Sequence, residues 1–264
     1  MMQIGICAGP EFAAVASQAG VDYFEWTVGA YLQPRQDEAA FKTAIQKVKS
    51  TPLTCPAVNV FIPADLKITG PSVDMPALTA YAETALERAR QAGVKVIVFG
   101  SGGARRIPEG FERQAAEAQL VNFGRMLGPR ARQAGVMIAV EPLNRKECNI
   151  LNSVAESALY VRKVDHPSFR LLVDAYHWAL EDESPQAIAD NGDLLVHAHI
   201  ATKTSRLPPG AEDFDFLPFF QALSQARYNE RISIEAKLPP IDDQSHLEEV
   251  LRTAVSSIRA QMAG

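Results

Sequence analysis

Four residues of this 264-residue chain have the types and positions to hold a cation and move protons: Glu141, Asp174, His199 and Glu235. Each lies at or near the end of a short apolar run: GVMIAVE (135–141), FRLLVDAY (169–176), LLVHAHIA (194–201) and RISIEAK (231–237). A carboxylate set directly beside a buried apolar strand costs several kcal/mol unless something cationic or hydrogen-bonding meets it. Strand side chains alternate between two faces, so parity sorts the residues of each run. In the first, Val136, Ile138 and Val140 oppose Met137, Ala139 and Glu141. In the second, Leu171 and Val173 oppose Leu172 and Asp174; in the third, Val196, Ala198 and Ile200 oppose Leu195, His197 and His199. In the fourth, Ile232, Ile234 and Ala236 oppose Ser233 and Glu235. Every run thus has one aliphatic face, and an opposite face with an acid or imidazole near its C-terminal end. Three carboxylates brought together without a cation repel one another and are forced toward protonation. One divalent metal removes the difficulty, and three oxygen ligands with one imidazole suit Mn²⁺, or else Co²⁺ or Mg²⁺, better than a structural zinc.

The elements that must position these residues follow a repeating pattern. The tetrapeptide QAGV occurs at 18–21, 91–94 and 133–136, each time closing a helical pattern and opening an apolar strand. Gly20, Gly93 and Gly135 suit the left-handed position that ends a helix. Further strands are expected at 3–8, 54–61, 169–176, 194–201 and 231–237. Helical patterns fill 36–50, 74–92, 111–134, 153–164, 215–226 and 245–262, with weaker ones near 10–20 and 184–190. Alternating strands and helices predict a parallel sheet. Eight such units, without a GxGxxG after the first strand, favour a single (β/α)8 TIM barrel over a doubly wound sheet. The expectation is one domain over residues 1–264, with the four acidic and imidazole groups at the C-terminal mouth of the barrel.

Composition narrows the partners. A formal net charge of −5 and a pI near 5.6 give no footprint for nucleic acid or an anionic membrane. Cys7, Cys55 and Cys148 are odd in number and lack CxxC spacing, so neither a disulfide framework nor a thiolate zinc site is expected. No signal-peptide pattern opens the chain and no apolar run reaches membrane-helix length, which predicts a cytoplasmic protein.

EPLNRKE (141–147), DAYHW (174–178), HAHI (197–200), RLPPG (206–210) and SIEAK (233–237) resemble the xylose isomerase-like barrel superfamily of sugar isomerases and epimerases. The resemblance is greatest to ketose 3-epimerases and hydroxypyruvate isomerase-like proteins, and NVF (59–61) and VFGSGGAR (98–105) extend it over nearly the whole chain. It implies a divalent-metal-dependent isomerase or epimerase acting on a ketose or small hydroxy-carbonyl compound. It also implies metal ligation by Glu141, Asp174, His199 and Glu235, with Glu141 and Glu235 doubling as the acid/base pair on opposite faces of the sugar. In this chemistry the metal chelates a carbonyl and its neighbouring hydroxyl, and the proton between them is removed as an enediolate forms. His177, Arg206 and Glu147 match substrate-binding positions of the family, and His197 a supporting or core position. A small sugar substrate and a homo-oligomer, dimer or tetramer, are implied as well.

One departure keeps a second reading open. Many relatives have an acid three positions after the ligand histidine, where this chain has Thr202. Inosose dehydratases and eliminases of 3-keto-glycosides and C-glycosides resemble the chain in the same motifs, so a metal-dependent lyase, which could be hetero-oligomeric, is the alternative. An endonuclease IV-like hydrolase needs histidines on early strands, and here the first of five is His166. A non-catalytic sugar binder would have no use for the acid/base pair. Elsewhere, GSGG (100–103) reads as a tight loop, Arg105 and Arg106 as a solvated pair, and Trp26, Phe61 and Trp178 as core or pocket wall.

Overall fold

The computed structural model describes residues 2–263. Eight parallel strands close into a barrel: β1 (Gln3–Cys7), β2 (Tyr23–Thr27), β3 (Thr54–Asn59), β4 (Val96–Phe99), β5 (Met137–Val140), β6 (Phe169–Asp174), β7 (Leu195–Ile200) and β8 (Arg231–Ile234). β1 pairs with β8 to complete the ring. The expected single (β/α)8 TIM barrel is the fold. Helices at Glu38–Lys49, Met75–Ala92, Arg113–Ala134, Val154–Val164, Leu217–Gln225 and Gln244–Ala263 form the outer layer. Side chains of Asp37, Asp74 and Ser153 each accept a backbone N–H at a helix start. Gly93 and Gly135 stop their helices at φ +76° and +68°, where a Cβ would be strained. No helix among the described residues is long and apolar enough to cross a membrane.

Two apolar layers separate by parity. Inside the barrel, Tyr23, Ala57, Val96, Val98, Ala139 and Leu172 pack as a cluster of their own. The opposite faces, including Ile138, Val140, Leu171, Val173, Ala198, Ile200, Ile232 and Ile234, pack under the helices. Gly5 makes the inner layer fit, because a Cβ there would lie 2.2 Å from the Tyr23 ring.

The start of β7 departs from simple alternation. Leu171 pairs with Leu195 but Leu172 pairs with His197, so β7 carries one extra residue at that step. Parity inverts across this bulge: Leu195 packs in the outer layer and Val196 against the inner cluster, the reverse of strict alternation. From His197 onward the alternation is as read from sequence. Short helices at Val28–Tyr31, Gly102–Arg105 and Ala175–Leu180 follow β2, β4 and β6 directly and have no periodic signal of their own. β3 ends at Asn59, because Val60 turns to φ +53° and points outward, 55% exposed.

Candidate active site at the barrel mouth

β5 to β8 deliver their polar residues to one place. Glu141 follows the last residue of β5, Asp174 ends β6, His199 is the penultimate residue of β7, and Glu235 follows β8. Asp174 pairs laterally with His199, and His199 with Ser233. One donor atom each from Glu141, Asp174, His177 and Glu235 lie within 4.8 Å of one another. His199 joins the same acids, its Nδ1 3.1 Å from Glu141 Oε1 and 3.6 Å from Glu235 Oε2. The structure thus brings Glu141, Asp174 and Glu235 together with His177, and His199 up to Glu141 and Glu235, at the C-terminal end of the barrel.

The backbone that aims Glu141 is pinned from behind. Arg105, fully buried, donates from Nη1 to the Phe99 carbonyl at 3.0 Å and from Nη2 to the Glu141 carbonyl at 2.7 Å. The solvated Arg105–Arg106 pair is thus corrected: the short helix after β4 turns Arg105 inward, where carbonyls at strand ends need donors. Its neighbour Arg106 donates to the Glu147 carbonyl. The GSGG segment has a second purpose beyond its turn. A Cβ on Gly100 would lie 2.2 Å from Glu141 Oε2, so only glycine leaves room for that carboxylate.

His177 and Arg206 close the site from the loops. His177, 2% exposed, accepts the Asn144 backbone N–H at Nδ1 (3.2 Å) and directs Nε2 toward Asp174 Oδ2 at 3.7 Å. Arg206 adopts φ +55°, spans Glu235 (2.5 Å) and Glu147 (3.4 Å), and lies 4.6 Å from the centre of the Tyr176 ring. A non-glycine residue in that conformation stores strain that functional loops commonly hold. Glu147 also accepts from the Asn144 side chain at 3.1 Å. Thr202 is buried, and an acid reaches it from another position: Glu212 lies 3.3 Å from its hydroxyl and accepts the Thr204 and Ser205 N–H groups.

The electrostatics are those of an acid cluster short of positive charge. Burial, then the neighbouring Glu235, push Asp174 up to about 6. Burial and Glu235 raise Glu141 too, against the opposing His199 hydrogen bond. Glu235 goes the other way: burial opposes its ionisation, but His199 and Arg206 outweigh it and hold it below the usual carboxylate range. Asp174 Oδ1 caps the Tyr176 N–H at 2.7 Å, while its buried Oδ2 has no hydrogen-bond partner among the described residues.

Sequence reasoning missed Glu25 and also Cys7, whose Sγ lies within 4.8 Å of donor atoms of His199 and Glu235. Glu25, in the middle of β2 and 1% exposed, lies below the acids with Oε1 3.1 Å from His199 Nε2 and Oε2 2.8 Å from His197 Nε2. A charge in the apolar run VDYFEW, in phase with Tyr23, was the available signal.

The family described as xylose isomerase-like TIM barrel matches the chain over residues 13–261. An L-ribulose 3-epimerase of Methylomonas sp. (strain DH-1) is 29% identical over 235 residues, 84% of this chain and 76% of that protein. A 3-dehydro-D-guloside 4-epimerase of Escherichia coli (strain K12) is 32% identical over 115 residues, a match spanning only 44% of that protein and 43% of this chain. Among solved structures, D-psicose 3-epimerase from Clostridium cellulolyticum H10 superposes with a TM-score of 0.85 at 20% identity over 99% of both chains. The 3-keto-D-glucoside 4-epimerase of E. coli does so at 0.77 and 24%, over 98% of this chain and 100% of that one. At these identities the structural likeness is one of fold.

Proposed function

The chain belongs to the xylose isomerase-like TIM barrel family, and from that premise and the mouth geometry we propose that it is a metal-dependent epimerase of a ketose or keto-sugar. The observation that carries this reading is the convergence of Glu141, Asp174, His199 and Glu235 on one mouth, with Asp174 Oδ2 left unpartnered in a buried place. A buried, unpaired carboxylate oxygen among like charges is unfavourable alone and fits a cation ligand. The donor set of three carboxylates and one imidazole suits Mn²⁺, with Co²⁺ or Mg²⁺ as substitutes. Of the two imidazoles nearby, His177 accepts at Nδ1, so its neutral ring carries the proton on Nε2 and has a donor, not a lone pair, to offer. On that ground we read His199 as the ligand and His177 as a substrate contact.

A bound divalent cation supplies positive charge beside the carbonyl and hydroxyl oxygens of the sugar, which acidifies the carbon-bound proton between them. The residues do the rest. Glu235, ion-paired with Arg206, takes that proton, and Glu141 returns one to the opposite face. In the metal-free protein the two carboxylates already lie on opposite sides of their ordinary value, Glu235 below it and Glu141 above. Arg206, Glu147 and the His177 Nε2–H bind the sugar's remaining oxygens. The named activities of the relatives, 3-epimerisation of L-ribulose and 4-epimerisation of 3-dehydro-D-guloside, both exchange a proton beside a carbonyl, and so support this chemistry.

The test is incubation of the Mn²⁺-loaded protein in D₂O with ketopentoses, ketohexoses, hydroxypyruvate and 3-keto-glucosides. The expected result is deuterium at one carbon of an intact, inverted sugar. It should be lost by a factor of ~10²–10⁴ in Glu141→Gln and in Glu235→Gln. Release of water or an aglycone with a new double bond would replace the epimerase by a lyase, and no exchange on any substrate would sink both.

A further inference from the structure

We propose that Glu25 is a positioning residue for this centre: it clamps His199 so that Nε2 points down the barrel and Nδ1 is presented to the acids above. The proposal rests on the reading of His199 as a ligand. A carboxylate only accepts hydrogen bonds, so His199 Nε2 donates to Glu25 Oε1 across 3.1 Å and His197 Nε2 donates to Oε2 across 2.8 Å. The Ser233 hydroxyl donates to the same Oε2 at 2.7 Å, and with its proton so committed it accepts from the Tyr23 hydroxyl at 2.8 Å. Glu25, His197, His199 and Ser233 are at most 1% exposed, and their contacts tie β2, β7 and β8 together.

This arrangement does more than fill the lumen. A neutral imidazole whose Nε2–H is committed to a carboxylate keeps its lone pair on Nδ1, in a fixed ring orientation. Here that Nδ1 is the nitrogen 3.1 Å from Glu141 and 3.6 Å from Glu235. His197, stacked edge-on at 5.1 Å from His199, holds the second oxygen of the carboxylate and so stops it turning away. Without metal, His199 Nδ1 donates to Glu141 as Nε2 does to Glu25. Once a cation replaces that Nδ1 proton, Glu25 still holds the Nε2–H and leaves His199 a lone pair for the ion, while Asn144 leaves His177 a proton.

The experiment titrates Mn²⁺ by calorimetry into wild type, Glu25→Gln and His199→Asn, with each melting temperature measured in chelator. Loss of such a carboxylate partner weakens metal binding by roughly 10–100-fold, and that is the result expected for Glu25→Gln. A lowered melting temperature with unchanged Mn²⁺ affinity would make Glu25 merely structural and overturn the proposal. So would weakening in Glu25→Gln without any in His199→Asn. If neither variant weakens Mn²⁺, the metal reading of the site falls as well, which separates the two failures. Should Glu25→Gln not fold, ¹⁵N spectra of Mg²⁺-loaded wild type decide the matter. His199 is expected protonated at Nε2 and bare at Nδ1, and the opposite tautomer would overturn the clamp.

Discussion

Replacing Asp174 by Asn should stabilise the protein when metal is absent and destabilise it, relative to wild type, when metal is present. Asp174 is 2% exposed, and burial with the Glu235 charge raises it from 3.8 to about 6. For an acid with a raised folded value, the cost of ionisation is absent below the unfolded value near 3.8. It then grows as pH rises to about 6 and is fully present above that. Two pKa units at 1.36 kcal/mol each set a ceiling of about 3 kcal/mol at pH 7. Asn retains the oxygen that caps the Tyr176 N–H, so the start of the helix Ala175–Leu180 is preserved. In chelator at pH 7 the variant should melt several degrees higher, at about 2–4 °C per kcal/mol. At pH 4, where both side chains are largely neutral, most of the gain should vanish. Saturating Mn²⁺ should reverse the order, because a ligand at 1,000 times its dissociation constant adds about 4 kcal/mol to wild type, and Asn replaces an anionic ligand. Thermal melts at pH 4, 5.5 and 7, with and without Mn²⁺, read all of this. A variant that melts at or below wild type in chelator at pH 7, or a gain independent of pH, would refute the reasoning.

Gly100→Ala should leave the melting temperature within a few degrees of wild type yet cost at least ~10-fold in Mn²⁺ affinity, because its Cβ would lie 2.2 Å from Glu141 Oε2 and must displace that carboxylate. Arg206→Met should raise the lower pKa of the kcat/KM profile, since Arg206 and His199 together hold Glu235 below its usual range; a profile unchanged on its acid side would remove Glu235 as the base. Arg105→Met should cost about 3 kcal/mol or more in chemical denaturation, as the Phe99 and Glu141 carbonyls lose buried donors. A loss near zero would show that water replaces the guanidinium.

The barrel and the mouth residues were legible because both rest on periodicity. Strand parity alone separates Glu141, Asp174 and Glu235 from the aliphatic residues on either side, and the family motifs point to the same positions. What parity does not encode is depth. Glu25 shares its face with Tyr23 and is as charged as Glu235, but it sits mid-strand, one level below the mouth, and attention to strand ends passes over it. The bulge at the start of β7 was equally hidden, since it depends on how β6 and β7 pair and not on the composition of either. Arg105 misled for a third reason. An Arg-Arg pair after a glycine-rich turn looks solvated until strand-end carbonyls are seen to converge on one member of it.

That bulge explains how one strand serves two solvents. Had β7 alternated strictly, Leu195 would point into the lumen; with one residue added it stays in the outer layer. His197 then lies level with Leu172, and His199 level with Asp174. The lumen then sets the apolar cluster, with Leu172 beside His197, against the Glu25–His197–Ser233 contacts that support the acids. The apolar plug keeps solvent from screening the acids from below, so their charge must be balanced at the mouth itself. Arg206 meets Glu235 there, against the carboxylates of Glu25, Glu141, Asp174 and Glu235 in and just under the site. Protonation of His199 and partial neutralisation of Asp174 and Glu141 make up the difference in the metal-free protein, as their raised values indicate. A dication can displace those protons. Metal uptake by this chain should therefore release protons and weaken steeply as pH falls below about 6, where the protons on Asp174 compete directly with the ion.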